Sequence, residues 1–371
     1  MRLGEDGRLE GPVGELDEPV RDLDAAALLV YTSGSTGAPR GVIQTHANID
    51  ANTRSICEFL QLSAADRAMA ILPLSYCYGK SVLQTHLMVG GSVFFDHRFM
   101  YPRLVVETIG RERCTGFAGV PLTFELIRRQ VDPRSIAMPT LRYLTQAGGA
   151  MSLATTRWVR EAFSPARLFV MYGQTEATAR LAYLAPEDGE ENAGSIGRPI
   201  PGVELEVVDE SGAPRPAGEE GQLVARGANV TSGYFRAPAE TAEILHGGWL
   251  WTGDLARKDA DGFIFLTGRA RELMKIGGYR VNPAEIEQRL CAHPDVLEAA
   301  VLGQSHPISG EVPVAFVVKR AEASLSEPEL RRHCRTALPA YKVPAAVWFI
   351  EALPRTSAGK VAKTELKVGS R

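Results

Sequence analysis

The run Tyr31-Thr32-Ser33-Gly34-Ser35-Thr36-Gly37-Ala38-Pro39-Arg40-Gly41 follows the apolar stretch Ala26 to Val30, and its reading decides the fold. An apolar strand entering such a loop aims backbone N–H groups, the Thr32, Ser33, Ser35 and Thr36 hydroxyls and the Arg40 charge at one point, which suits a polyphosphate. Gly34 and Gly37 allow close approach of the backbone to a ligand. No Lys-Ser/Thr pair follows the second glycine, so the run is not a kinase or GTPase P-loop. A flexible Ser/Gly linker would not need the Tyr, Pro and Arg that frame it.

Outward from the loop, short apolar runs alternate with helical periods as far as residue 176. Thr45 caps an expected helix carrying Ile49, Ile56, Phe59 and Leu60 on one face. Ala68 to Leu74, Gly91 to Phe95, Gly116 to Val120, Leu141 to Thr145 and Arg167 to Met171 read as strands, separated by helical stretches. This rhythm predicts a layered α/β domain with largely parallel strands. The loops Thr32 to Gly41, Ser75 to Gly79, Gly119 to Pro121, Gln146 to Ala150 and Tyr172 to Glu176 would then gather at the carboxyl ends of the strands, where such sheets bind ligands.

Beyond residue 199 the period falls to two, with Val203, Leu205 and Val207 alternating before a turn and a return over Gly221 to Ala225, which predicts a small β-barrel or sheet. Past Gly268 the pattern is that of a small α+β unit. Asn282-Pro283-Ala284-Glu285 and Ser326-Glu327-Pro328-Glu329 are both helix-start signals. The expected division is a lead-in over 1–24, a large domain over 25–268 and a mobile C-terminal domain over 269–371.

The 371 residues, 45% hydrophobic and 23% charged with a formal charge of −3, suit a globular chain and argue against a nucleic-acid partner. No apolar run is long enough to span a bilayer. The first twenty residues are acidic and Gly-rich, unlike a secretion signal, so a cytoplasmic location is expected. The five cysteines are scattered without a CxxC pair, which predicts reduced, mostly buried thiols rather than a disulfide frame or zinc site.

Five further stretches accompany the opening loop: Tyr172 to Glu176 (YGQTE), Trp251 to Leu255 (WTGDL), Gly268 to Arg271 (GRAR), Lys275 to Arg280 (KIGGYR) and Pro354 to Lys360 (PRTSAGK). In this order they resemble the adenylate-forming superfamily of acyl-CoA synthetases, non-ribosomal peptide synthetase adenylation domains and beetle luciferases, over about residues 25 to 366. The closest likeness is to AMP-forming acyl-CoA ligases, shortened at the N-terminus.

That resemblance implies joining a carboxylate to the α-phosphate of ATP, release of pyrophosphate, and acyl transfer to the thiol of CoA or a carrier-protein phosphopantetheine. It implies Thr32, Ser33, Gly34, Ser35, Thr36, Gly37 and Arg40 on the phosphates; Gly148, Gly149, Ala150, Tyr172 and Gly173 around adenine and ribose; and Asp254 with Arg269 on the ribose hydroxyls. Thr175 would touch the α-phosphate and Glu176 would bind Mg²⁺. Lys360 would be the principal cation of adenylation, Lys275 would serve the thiol step, and Arg271 would be the hinge. By themselves, Tyr172 is also explained as a core aromatic, Asp254 as a turn cap and Lys360 as a solvated surface charge.

For the acyl pocket the resemblance singles out Tyr76, Cys77, Gly119 and Val120, whose residue types fit pocket wall and ordinary core equally. Leu74 to Gly79 offers no Asp to hold an α-ammonium, so a fatty or aryl acid is expected ahead of an amino acid. An amino-acid adenylation domain and an inactive nucleotide-binding remnant are the alternative readings.

The chain departs from the family pattern at Arg40, where Lys is usual, and at Arg271, where Asp or Lys is usual. Only thirty residues precede the opening loop, where the family has a full subdomain. That shortening predicts exposed apolar edges, and a truncated reading frame, a second polypeptide that supplies the absent half, or a homodimer that covers the gap would each account for it.

Overall fold

The computed structural model describes residues 2–3, 9–10, 22–32, 39–320, 323–355 and 361–367. A seven-stranded sheet runs in the order Arg198–Pro199, Ala182–Leu184, Arg167–Tyr172, Tyr143–Gln146, Gly116–Gly119, Arg67–Ala70, Ser92–Phe95. The last five strands in that order are parallel and the first two add antiparallel at one edge. Both faces are covered, as a parallel sheet requires. Phe117, Leu144 and Leu168 face the helices Pro102–Arg111, Pro121–Gln130 and Leu153–Ala162. Their chain neighbours Ala118, Tyr143 and Phe169 pack with Ile56 and Leu60 of the helix His46–Leu60 and with Tyr78 of Cys77–Met88. Period-two alternation in the strands thus separates two cores.

One expectation is corrected at the opening run. Ala26–Thr32 is not a member of the parallel sheet but pairs antiparallel with Arg40–Thr45, a strand that the sequence pattern did not reveal. The returning strand supplies the anchorage, with Val42 and Gln44 fully buried, while Leu28, Leu29 and Tyr31 are 37%, 40% and 64% exposed. Val42 packs into the core of the next unit, so tertiary burial of one face, rather than overall hydropathy, places the hairpin. The strand expected over Ala68 to Leu74 also stops early, at Ala70, where the chain folds over the start of the helix Cys77–Met88.

The second unit is a five-stranded antiparallel sheet of Val203–Val208, Glu220–Gly227, Trp249–Lys258 and Leu245–His246, with Ile264–Arg269 on Trp249–Lys258. The third combines Met274–Ile276, Tyr279–Val281, Val296–His306, Gly310–Lys319 and Ala346–Phe349 with the helices Pro283–Cys291 and Glu327–Arg335. Both expected helix starts are present: Asn282 caps through Ala284 N, and Ser326 and Glu329 form a reciprocal box. Asn282 also donates to Thr267 O at 2.6 Å. Its amide occupies the space a side chain at 268 would need, so Gly268 permits the crossing between units. All five cysteines are free, with Cys77, Cys114 and Cys334 buried but Cys291 exposed. Among the described residues no helix is long and apolar enough to cross a membrane.

The amino ends of the parallel strands are tied at Asp66, which is 4% exposed. Its carboxylate accepts from Ser63 N, Thr115 Oγ1 and the Arg142 guanidinium at 2.7–2.8 Å. Burial pushes its pKa up, but the hydrogen bonds from Arg142 and Thr115 outweigh that and hold it at about 2. A carboxyl more acidic folded than unfolded contributes stability above its unfolded pKa and loses it as pH falls through the folded one. Asp66→Ala should therefore cost about 2 kcal/mol near neutral pH in urea denaturation, reduced from a fully buried pair because Arg142 is partly solvated. The gap between wild type and variant should shrink between about pH 4 and pH 2; a gap constant over that window would contradict the ion pair as its source.

Candidate active site

The carboxyl ends of the parallel strands carry the loops that hold the expected site. Tyr172 ends its strand buried among Val42, Ala177, Leu181 and Leu205. Its hydroxyl donates to Asp254 Oδ2 at 2.5 Å. Asp254 faces Arg269 across paired strands, with Arg269 Nε 3.0 Å from Asp254 Oδ1. The two residues, fifteen apart in sequence, are therefore register partners. Burial, then the Asp254 carboxylate, pushes the Tyr172 phenol well above its ordinary pKa, so it stays a donor. Asp254 in turn holds the Arg269 guanidinium charged. A carboxylate has about four lone-pair sites, so two remain for hydroxyl groups of a ligand.

A second cluster forms at Thr175–Ala177, a single 3₁₀ turn. Glu176 Oε1 accepts from Tyr234 OH at 2.8 Å, and the Arg40 guanidinium lies 5.4 Å from the Tyr234 ring centre. Thr231 N donates to Glu176 O, while Phe235 N and Ile43 N tie the same segment to the strand Arg40–Thr45. Arg40 and Thr32, register partners at the two ends of the opening loop, are thereby set beside the Glu176 turn. The segment 231–235, which motif reading passed over, is the bridge.

Gln44 buries its amide beneath this turn, donating to Thr175 O at 3.1 Å and Thr178 O at 3.2 Å. The Lys80 ammonium donates to the Gln44 carbonyl oxygen. Thr175 Oγ1 donates to Cys77 Sγ at 3.6 Å. Thr178 has φ +64°, uncommon for a β-branched residue, and is held there by its hydroxyl on Asn229 O at 2.7 Å. Gln174 Nε2 is buried with no acceptor among the described residues. An unpaired buried donor is costly, and its place in this turn fits an acceptor-rich ligand such as a nucleotide.

The expected pocket residues Tyr76 and Val120 meet at Gly148, the residue expected beside adenine and ribose. A side-chain carbon at Gly148, where φ is +89°, would lie 2.5 Å from the Tyr76 hydroxyl and 3.2 Å from Val120 Cγ1. Gly119 is packed beneath Phe124, and Cys77 is buried at the first turn of its helix. Gly149 and Ala150 are exposed on the rim, with Gln146 Nε2 holding Gly149 O at 2.8 Å. Gly173 lies against the backbone of Ala179 and Arg180, so its missing side chain serves close chain passage.

Lys275 is not brought to these residues. It lines a cavity of about 880 Å³ between the second and third units, with Arg257, Thr267 and Arg280. Arg271 follows Arg269 in the 3₁₀ turn Ala270–Glu272, with Glu243 at 3.9 Å. Ser33, Gly34, Ser35, Thr36, Gly37 and Lys360 lie outside the described residues.

Glu176 has no cationic ion-pair partner among the described residues, and no group of three His, Cys, Asp or Glu side chains stands ready to cage a metal. One carboxylate, hydrogen-bonded by Tyr234 through a single oxygen, suits Mg²⁺ held chiefly by phosphate oxygens and water; it would not suit a structural zinc site.

Comparison with known proteins gives the family. Residues 4–235 match the AMP-binding enzyme family and residues 285–360 its C-terminal domain. The chain is 39% identical over 346 residues to a sulfoacetate–CoA ligase of Cupriavidus necator, covering 92% of this chain and 67% of that protein. It is 36% identical over 348 residues to a 2-succinylbenzoate–CoA ligase of Geobacillus kaustophilus, covering 93% and 70%. The o-succinylbenzoate CoA synthetase of Bacillus subtilis, solved with its acyl-adenylate intermediate, superposes with a TM-score of 0.85 at 32% identity over 94% of this chain and 70% of that one. The same enzyme has been solved with ATP and magnesium ion, with a TM-score of 0.83, 32% identity and coverage of 93% and 70%. The chain belongs to the AMP-binding enzyme family, the adenylate-forming enzymes.

Proposed function

We propose that this enzyme is an AMP-forming acid–thiol ligase, which condenses a carboxylic acid with ATP to an acyl adenylate and pyrophosphate and then passes the acyl group to the thiol of CoA. The observation that carries the reading is the convergence on one rim of Asp254 with Tyr172 and Arg269, and of Glu176 with Tyr234 and Arg40. Relatives that are CoA ligases support CoA as acceptor. A carrier-protein phosphopantetheine is the alternative thiol.

In this reading Asp254 accepts both ribose hydroxyls while Arg269 fixes its orientation. Tyr172, Gly148, Gly149, Ala150 and Gly173 border the base and sugar. Arg40, Thr32 and the intervening Ser33 to Gly37 hold the β- and γ-phosphates. Arg40 replaces a point charge with a planar fork, which makes ATP affinity the property most sensitive to that position. Glu176 and Thr175 lie at the α-phosphate, where Mg²⁺ bound to Glu176 would offset charge on the phosphate oxygens. Lys360 adds its ammonium at the same point. Tyr76, Cys77, Gly119 and Val120 bound the acid. With Lys275 in the cleft between units, rotation about Arg271 would exchange it with Lys360 for the thiol step.

The large domain over 25–268 and the mobile domain over 269–371 are part of the same proposal. The exposed Leu28, Leu29 and Tyr31 support cover from a second chain or a second copy of this one. Five free thiols support a reducing, cytoplasmic setting.

Acid-dependent ATP–pyrophosphate exchange, with hydroxamate trapping across fatty, aryl, small polar and amino acids, is the test. We expect exchange with at least one acid lacking an α-amino group, and AMP release on adding CoA. A protein that binds ATP·Mg²⁺ in calorimetry yet exchanges with no acid would be the nucleotide-binding remnant instead.

A further inference from the structure

The turn that carries Thr175 and Glu176 is three residues long, too short to hold its own shape, and its carbonyl groups are pinned from outside. Glu176 O accepts from Thr231 N at 2.8 Å and Ala177 O from Asn229 Nδ2 at 3.3 Å. The two flanking carbonyls, Thr175 O and Thr178 O, are both taken by one group, the Gln44 amide, at 3.1 and 3.2 Å. Gln44 therefore clamps the two ends of the turn together, across the positive φ of Thr178. Arg180 closes the far side. It is 3% exposed, with Met171 Sδ, Ala179 O and the Tyr78 ring about its guanidinium and no carboxylate among the described residues.

What fixes the Gln44 amide is Lys80. A side-chain amide has two donor hydrogens on nitrogen and lone pairs on oxygen, and turning it over exchanges them. Lysine offers donors alone, so the Gln44 oxygen must face the Lys80 ammonium, which leaves both N–H groups for the turn. Gln44 is fully buried, so bulk water does not replace that ammonium. Lys80 itself is half-buried, desolvation lowers its pKa, and its partner here is a neutral amide rather than a carboxylate. A cation so placed is a poor choice for stability alone. It lies one turn into the helix Cys77–Met88. A side-chain carbon at Gly79 would come within 2.4 Å of Pro73 O, so the glycine lets the incoming chain cross the start of that helix. Cys77, its first residue, accepts from Thr175 Oγ1 at 3.6 Å. The helix that carries part of the expected pocket wall thus grips the turn twice.

We propose that Lys80 is a positioning residue for adenylation: through the Gln44 amide it locks the Thr175 to Thr178 turn, so that Thr175 and Glu176 stay aimed at the α-phosphate and its Mg²⁺. This rests on the ligase reading above and adds to it a residue that belongs to no motif. Loss of the ammonium leaves the buried Gln44 oxygen unpaired. An amide that turns over in response sets that oxygen against two carbonyl oxygens, and the turn is released.

The test is a double-mutant cycle on acid-dependent pyrophosphate exchange, with Lys80→Met, Gln44→Leu and the two combined. Lys80→Met should lower kcat for exchange by about 10- to 100-fold, the scale of a misplacement near 1 Å, and raise the half-saturating Mg²⁺ concentration. The KM for the acid, and thioester formation from a supplied acyl adenylate, should stay within a fewfold of wild type. Because Lys80 acts through Gln44, the combined variant should lose no more than Gln44→Leu alone. Lys80→Arg, which keeps a donor for the Gln44 oxygen, should retain more of the rate than Lys80→Met. A combined loss equal to the product of the single losses would mean that Lys80 acts on its own, and would overturn the inference. Equal losses in both half-reactions, the mark of a general structural defect, would overturn it too, as would an unchanged kcat in Lys80→Met or an Arg variant no better than the Met one. Should Lys80→Met not fold, Gln44→Leu decides, since wild-type exchange in that variant removes the clamp from catalysis. Wild-type protein that exchanges with no acid would remove the ligase reading itself.

Discussion

Lys360→Ala is expected to cut acid-dependent pyrophosphate exchange about 1,000-fold, the scale on which one donor aimed at developing transition-state charge acts. Thioester formation from a supplied acyl adenylate should fall by no more than a fewfold, because the charge on phosphorus that Lys360 is proposed to meet has by then been formed. The described residues at and beside the ends of the Pro354 to Lys360 motif are well anchored. Arg355 and Val361 form an antiparallel bridge, and Arg355 pairs with Glu298. Lys363 pairs with Glu287 of the helix Pro283–Cys291, at 2.9 Å, and with Glu272 at the end of the turn that holds Arg271. Burial alone would lower the Lys363 pKa, but the two carboxylates outweigh it, so this anchor stays charged. Arg355, Val361 and Lys363, at and beside the ends of the motif, are thus tied to the C-terminal unit and, through Lys363 and Glu272, to the proposed pivot. Measuring both half-reactions in one preparation decides the matter: equal losses in the two steps would remove Lys360 from its assigned role.

Glu176→Gln should reduce exchange about 100-fold and shift the half-saturating Mg²⁺ concentration upward by a similar factor, since a neutral amide is a poor ligand for a hard cation. The substitution is a clean one for this fold. The amide oxygen of Gln can still accept from Tyr234 OH, and the backbone bond from Thr231 N to residue 176 is untouched. Thermal stability should therefore change little, and the loss should appear in the Mg²⁺ titration. An unaltered Mg²⁺ dependence with reduced turnover would instead make Glu176 a support for Tyr234 and Arg40. The pairing of the two variants is informative, because Lys360→Ala should leave the Mg²⁺ requirement where it is.

Local signals were the legible part of this sequence. Thr45, Asn282 and Ser326 each cap the helix expected of them. The parallel strands fall where short apolar runs placed them, because a strand buried on both faces is apolar without interruption. Tyr172, Asp254, Thr175 and Glu176 were found through ordered motifs, and they lie on the expected rim. Arg40–Thr45 escaped notice because Val42 alternates with half-buried or polar neighbours over only six residues, too short a span to stand apart from the helix that follows. Gln44, Tyr234, Lys80 and Arg180 belong to no motif. For Lys80 a signal was present: it stands three residues beyond Cys77, within one helical turn of a segment already read as pocket wall.

By itself the sequence determined the capped helix starts, the run of parallel strands, the order of the motifs, and hence the family and its chemistry, since each depends on neighbours within a few residues along the chain. Only the tertiary structure decided that the strands flanking the opening loop pair antiparallel, that Tyr234 joins Arg40 to Glu176, and that Arg180 is sealed from solvent without an acid among the described residues. Those facts depend on desolvation and on contacts between residues far apart in the chain, such as the bond from Asn52 to Arg180. Whether a charge is solvated or stranded cannot be read from its own neighbours in sequence; it is set by what the fold packs around it.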